Sequence, residues 1–160
     1  MSTKFTIDNT VGLNDEPLGQ ALINASQWLG ESLLSLMAEQ GHSDLTNAHL
    51  TFFCHLNCGV TQASEVARRM GISRQAVYKV TQELQRLGAL ELQEDPENKR
   101  RKIICMTDLG ERIALDARVA LEEVEQHLKE TIGTKNFEAM AEILRLDWGP
   151  HIGASKEETG

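Results

Sequence analysis

The stretch Ala63-Ser64-Glu65-Val66-Ala67-Arg68-Arg69-Met70-Gly71-Ile72-Ser73-Arg74-Gln75-Ala76-Val77-Tyr78-Lys79-Val80 decides the fold. Its apolar spacing predicts two short helices, about 62–70 and 74–87, separated by Gly71-Ile72-Ser73. Helices that cross steeply through so short a turn make local demands. The first needs a small residue at the crossing, the turn needs a residue tolerant of positive φ, and apolar side chains must fill the angle. Ala67 and Gly71 meet the first two demands. Val66, Met70, Ile72, Val77 and Val80 supply the wedge, and Leu84 and Leu87 extend it into a core. Ser73 stands where a hydroxyl can cap the second helix. The segment reads as a helix–turn–helix.

With positions 77, 80 and 84 turned inward, the helical period turns Arg74, Gln75, Tyr78, Lys79 and Gln82 outward. Arg, Gln and Lys can donate to base edges or phosphates in a major groove. Backbone N–H groups at the helix start can bind a phosphate, so Ser73 is expected both to cap and to touch one. A merely solvated face would mix both signs of charge, and here only Glu83 opposes the cations. These six residues are the first candidates for contact with double-stranded DNA.

After Gly88, the segment Ala89-Leu90-Glu91-Leu92-Gln93-Glu94 alternates with period two, as a half-buried strand does. Asp95-Pro96-Glu97-Asn98 is a turn cluster, and Lys99 to Met106 returns as a second strand. The hairpin is a wing. Its Lys99, Arg100, Arg101 and Lys102 can reach backbone phosphates or an adjacent minor groove. The same charges also discourage edge-to-edge pairing of strands.

Long helices flank this centre. Leu22, Ala25, Leu29, Leu33, Leu36 and Met37 predict a first helix over 18–40, stopped by Gly41. A second, opened by Thr46, carries Leu50, Phe53 and Leu56 to about Asn57. Thr107 and Asp108 open a further long helix with the stripe Ile113, Ala117, Ala120, Leu121, Val124 and Leu128. A last helix over about 135–147 carries Phe137, Met140, Ala141 and Leu144, with Trp148 just beyond. The fold class is therefore mainly α with a small β-hairpin wing, a winged helix–turn–helix between long N- and C-terminal dimerisation helices. The expected division is an N-terminal arm over 1–17, a dimerisation helix over 18–45, and the DNA-binding domain over 46–107. C-terminal dimerisation helices over 108–148 and a loose tail over 149–160 complete it.

The flanking stripes are wider than a small winged core can cover. Leaving Trp28, Leu29, Leu33, Leu121, Leu128 and Phe137 in water would cost about 1.5–3 kcal/mol each. An interdigitated homodimer covers them; a monomeric helical cap over the core is the alternative. Two-fold symmetry would set two recognition helices about 34 Å apart on an inverted repeat.

Composition bounds the reading. The 160 residues are 41% hydrophobic, with a formal net charge of -8. Nine cations face six acids from Thr61 to Thr107, and seven face eighteen elsewhere, so a basic module sits on an acidic scaffold. Three cysteines cannot pair fully, which excludes a disulfide-stapled miniprotein. No apolar run suits a membrane span, and the start lacks a signal-peptide pattern, so a reducing cytoplasm is expected.

These motifs together resemble the MarR family of bacterial winged-helix regulators over about residues 18–148. The carriers are the segment 63–77, then Leu84-Gln85-Arg86-Leu87-Gly88, and Met106-Thr107-Asp108-Leu109-Gly110, which is similar to the family's Leu-Thr-x-x-Gly. The resemblance implies a dimeric, sequence-specific DNA-binding regulator, a repressor, with a small phenolic or lipophilic effector bound between the dimer helices and the winged core. One departure stands out. Family wings read Asp-x-Arg-Asp-Arg-Arg, and here Asp95-Pro96-Glu97-Asn98-Lys99-Arg100 puts an acid where the tip arginine belongs. Glu97 would repel phosphate, so Lys99 to Lys102 must supply the attraction, and Glu97→Arg is expected to tighten DNA binding.

Two other classes compete. A winged helix that has lost DNA could dock an acidic protein partner, as Glu97 and the acidic balance suggest. A redox or metal sensor could use Cys54, Cys58 and His55, with Cys105 on the wing strand; the plainer reading makes these cysteines small buried apolar residues. His42, His49, His55, His127 and His151 form no ligand set, so no metal or cofactor is expected. With no Gly-rich phosphate loop and no acid/base or nucleophile constellation, an enzyme is not expected either.

Overall fold

A computed structural model describes residues 17–57, 62–150 and 152. Residues 1–16 of the expected arm over 1–17, and most of the tail over 149–160, lie outside the described residues. The elements run α1 (Leu18–Glu39), α2 (Asn47–Asn57), α3 (Ala63–Met70), α4 (Arg74–Arg86), β1 (Leu90–Asp95), β2 (Asn98–Met106), α5 (Asp108–Ile132) and α6 (Thr134–Leu144). The chain divides into two compact units, one up to Ala120 and one from Leu121.

In the first unit, α3 and α4 meet as the local chemistry requires. Ala67 is buried, and Gly71 takes the left-handed conformation at φ 63°, closing α3 with backbone bonds to its last carbonyls. The Ala76 N–H donates to Ser73 Oγ at 3.1 Å, so Ser73 caps α4. Val66, Val77 and Leu84 are fully buried, with Met70, Ile72 and Leu87 packed against them. From α2, Phe52, Phe53, Leu50 and Leu56 fill the rest of the core, and Met37 closes it from α1. Phe52 lies off the stripe read from the sequence.

The hairpin departs from its sequence pattern. Leu90 and Ile104 are buried, but Leu92, the next apolar residue of the alternation, is exposed. Alternation marks which side chains share a face; it does not say that anything covers that face. The base of the hairpin packs into the body through Leu90 and Ile104. There Thr107 ties strand to helix: its N–H donates to the Ala89 carbonyl at 3.1 Å and its hydroxyl to the Gly88 carbonyl at 2.6 Å. The same hydroxyl accepts the Gly110 N–H at 3.2 Å, which caps α5. A Cβ on Gly110 would lie 2.1 Å from the Ala89 carbonyl oxygen, so only glycine allows this approach.

In the second unit, Lys129 Nζ sits 4.9 Å from the centre of the Phe137 ring, joining the end of α5 to α6. Helix α6 ends earlier than the spacing predicts, at Leu144, and the Trp148 indole N–H beyond it donates to the Ile143 carbonyl. The exposed apolar residues are partly different from those expected. Of the six named from the sequence only Trp28 is exposed; the others are half-buried by neighbours on the same chain. The exposed ones are instead Leu18 and Ile23 on α1, Leu115 and Val119 on α5, and Met140, Ile143 and Leu144 on α6.

Candidate nucleic-acid interface

Helix α4 buries Val77, Val80, Thr81 and Leu84 and exposes Arg74, Gln75, Tyr78 and Lys79. Thr81, which the sequence leaves unassigned, spends its hydroxyl on the Val77 carbonyl at 2.9 Å. Gln82 is half-buried, and its amide N–H donates to the Tyr78 oxygen at 2.8 Å across one helical turn. Ser73 stands exposed at the start of the helix.

The single acid on α4 is restrained from both sides. Glu83 Oε2 lies 3.0 Å from His49 Nε2, and its Oε1 lies 3.9 Å from Lys79 Nζ. His49 is buried, and its Nδ1 accepts the Thr46 N–H at 3.2 Å while its own N–H donates to Thr46 Oγ1. This is a reciprocal helix cap with imidazole in place of the usual Glu or Gln. Since Nδ1 must accept, Nε2 carries the proton and donates to Glu83.

On α3, Glu65 binds two arginines. Arg68 reaches it with Nη2 and Nε, at 2.6 and 3.0 Å, and Arg69 with Nε at 3.0 Å. The hydrogen bonds from Arg68, then Arg69, hold the Glu65 carboxyl down at about 2, below its ordinary 4.5. Two cations here therefore share one anion.

The wing has an irregular register. Glu94 pairs with Lys102, but the next pair is Asp95 with Asn98, so Lys99, Arg100 and Arg101 have no residue opposite them. The tip is pinned by its own side chains: the Glu97 N–H donates to Asp95 Oδ1 and the Arg100 N–H to Asn98 Oδ1. Lys102 Nζ lies 3.5 Å from Glu94 Oε1, which partly neutralises it. Among the described residues no carboxylate lies within ion-pair distance of Arg74, Lys99, Arg100 or Arg101. The ten candidate residues thus fall on two elements, α4 with its cap and β2.

His42, assigned no role by the sequence, bonds Asp116 at 2.7 Å. Cys54 is exposed and Cys105 half-buried, so the reading of the cysteines as buried apolar residues fails for Cys54. Cys58 and His151 lie outside the described residues. Among the described residues no group of three or more His, Cys, Asp or Glu is placed to hold a metal ion. None of their helices is long and apolar enough to cross a membrane.

A profile of the MarR family matches residues 43–101, which span α2 to the wing. A sequence search of curated proteins finds no match. Among solved structures, apo MarR from E. coli is 18% identical, with 82% of this chain and 96% of that chain covered and a TM-score of 0.68. The transcriptional repressor CouR, solved bound to a 23-mer DNA duplex, is 25% identical, with 80% and 89% covered and a TM-score of 0.69. A MarR-family regulator from Rhodococcus sp. RHA1 is 20% identical, with 79% and 90% covered and a TM-score of 0.65. Residues 43–101, which hold the helix–turn–helix and most of the wing, are thus similar to the MarR family of winged helix–turn–helix transcriptional regulators, and the fold is the one its solved members share.

Proposed function

We propose that two copies of this chain form a homodimer that binds an inverted repeat in double-stranded DNA, acts as a repressor in the cytoplasm, and is released by a small effector. One observation carries the reading: Arg74, Gln75, Tyr78 and Lys79 stand exposed on a helix whose other face is locked in the core, while its one acid is held by His49. Arg74, Gln75, Tyr78, Lys79 and Gln82 read bases and phosphates, and Ser73 adds a phosphate contact at the capped end. Lys99, Arg100, Arg101 and Lys102 attract the backbone from the wing. Repression is supported by the likeness to CouR, itself a repressor solved on DNA.

Exposed apolar residues support the second copy. Leu18 and Ile23 in the first unit, and Met140, Ile143 and Leu144 in the second, gain about 1.5–3 kcal/mol each when fully covered. An effector acts by binding one separation of the two α4 helices more tightly than another. Sedimentation at micromolar concentration with selection of duplexes from a random pool tests the reading. A dimer that enriches two half-sites about one helical turn apart supports it. A monomer, or a pool with no enrichment, overturns it.

A further inference from the structure

The hydrogen bond between Gln82 and Tyr78 fixes which groups these two side chains have left to offer. One of the two Gln82 amide hydrogens is spent on the Tyr78 oxygen, so the phenolic hydrogen and the second amide hydrogen remain as donors and the Gln82 Oε1 as an acceptor. One turn of α4 thus presents a donor and an acceptor side by side. The Tyr78 ring adds a third property, since it is 58% exposed and apolar. Behind them Val77 and Thr81 are buried, so the helix cannot turn to hide the ring without giving up core.

We propose that Tyr78 and Gln82 act as one composite reader of an A·T base pair in the major groove. Gln82 Oε1 accepts from the adenine amino group, Tyr78 O–H donates to the neighbouring thymine O4, and the ring packs on the thymine methyl. A G·C pair also offers a donor and an acceptor side by side, but no methyl group. Thymine alone gives the exposed ring an apolar surface to cover. The assignment rests on DNA binding by α4, and it adds the identity of a base pair within each half-site.

The test selects duplexes from a random pool with the full-length protein, with Tyr78→Phe, Tyr78→Ala and Gln82→Ala. Tyr78 is exposed and Gln82 half-buried, and thermal melting checks that each variant folds. The wild type should enrich an A·T pair at one position of each half-site, with about 5- to 150-fold discrimination there. Tyr78→Phe and Gln82→Ala should each lose most of that discrimination while the rest of the site is still selected. Replacing the thymine by deoxyuridine should weaken the wild type about 4-fold, the worth of one methyl, and leave Tyr78→Ala unchanged. Enrichment of G·C at the position these variants affect, or variants that change no position, overturns the base assignment while DNA binding stands. A wild type that enriches no duplex overturns both.

Discussion

His49 on α2 and Glu83 on α4, 34 residues apart in sequence, meet through Nε2 and Oε2 at 3.0 Å, and the imidazole's other nitrogen is bound by the Thr46 N–H. One buried ring therefore caps α2 and restrains the only acid of α4. His49→Ala removes both bonds and opens a cavity, and should lower stability by about 2–4 kcal/mol in urea denaturation. His49→Gln should recover part of the loss, since Gln at this position completes the ordinary capping box. An alanine variant as stable as the wild type would show that the ring bears none of this.

Arg74 and Arg101 should behave differently on DNA. On the proposal that α4 enters the groove, Arg74→Ala should cost about 1–3 kcal/mol on the preferred duplex and relax base preference. Arg101→Ala should weaken all duplexes alike and lower the salt slope by about one unit per chain. Lys102→Ala should weaken binding less than Arg101→Ala, since Glu94 already lies 3.5 Å from its ammonium. Competition titrations with preferred and scrambled duplexes read all three.

Gly110 permits the close approach of α5 to Ala89. With an added Cβ 2.1 Å from the Ala89 carbonyl oxygen, backbone must move, and Gly110→Ala should destabilise by about 1–3 kcal/mol or more. Urea denaturation checks it; an unchanged midpoint would mean that the junction gives way at no cost.

Acid should weaken α3 over a defined interval. The folded carboxyl of Glu65 titrates at about 2 against an ordinary 4.5, so its contribution is complete above pH 4.5 and is lost as pH falls toward 2. The pair is solvent-exposed, so the effect is small. Glu65→Gln should make stability less dependent on pH in that interval, and denaturation midpoints for the two proteins should converge at its acid end. Midpoints that stay parallel would remove Glu65 from the acid response.

The helix–turn–helix is legible in the sequence because its demands are local: Ala67, Gly71, Ser73 and the wedge residues lie within one short stretch. Glu65 with Arg68 and Arg69 is legible too, by helical spacing, although counting charges treats all three as independent. The role of His49 is only half legible. Thr46 and His49 have capping-box spacing, but Glu83 comes from another helix and no periodicity points to it. Wing pairing is likewise hidden, because the irregular register that sets Glu94 opposite Lys102 depends on how the tip closes. Leu92 shows the limit of alternation, and Cys54 shows that composition alone does not bury a thiol.

The most direct test of the account is the affinity of the full-length protein for a selected duplex, measured by fluorescence anisotropy at two salt concentrations. If Lys79 and the wing cations of two copies lie on phosphates, affinity should fall by about a thousand-fold or more between roughly 50 and 200 mM salt. Binding that is absent at the lower concentration, or that does not change between the two, would contradict the claim that the cationic face of α4 meets double-stranded DNA.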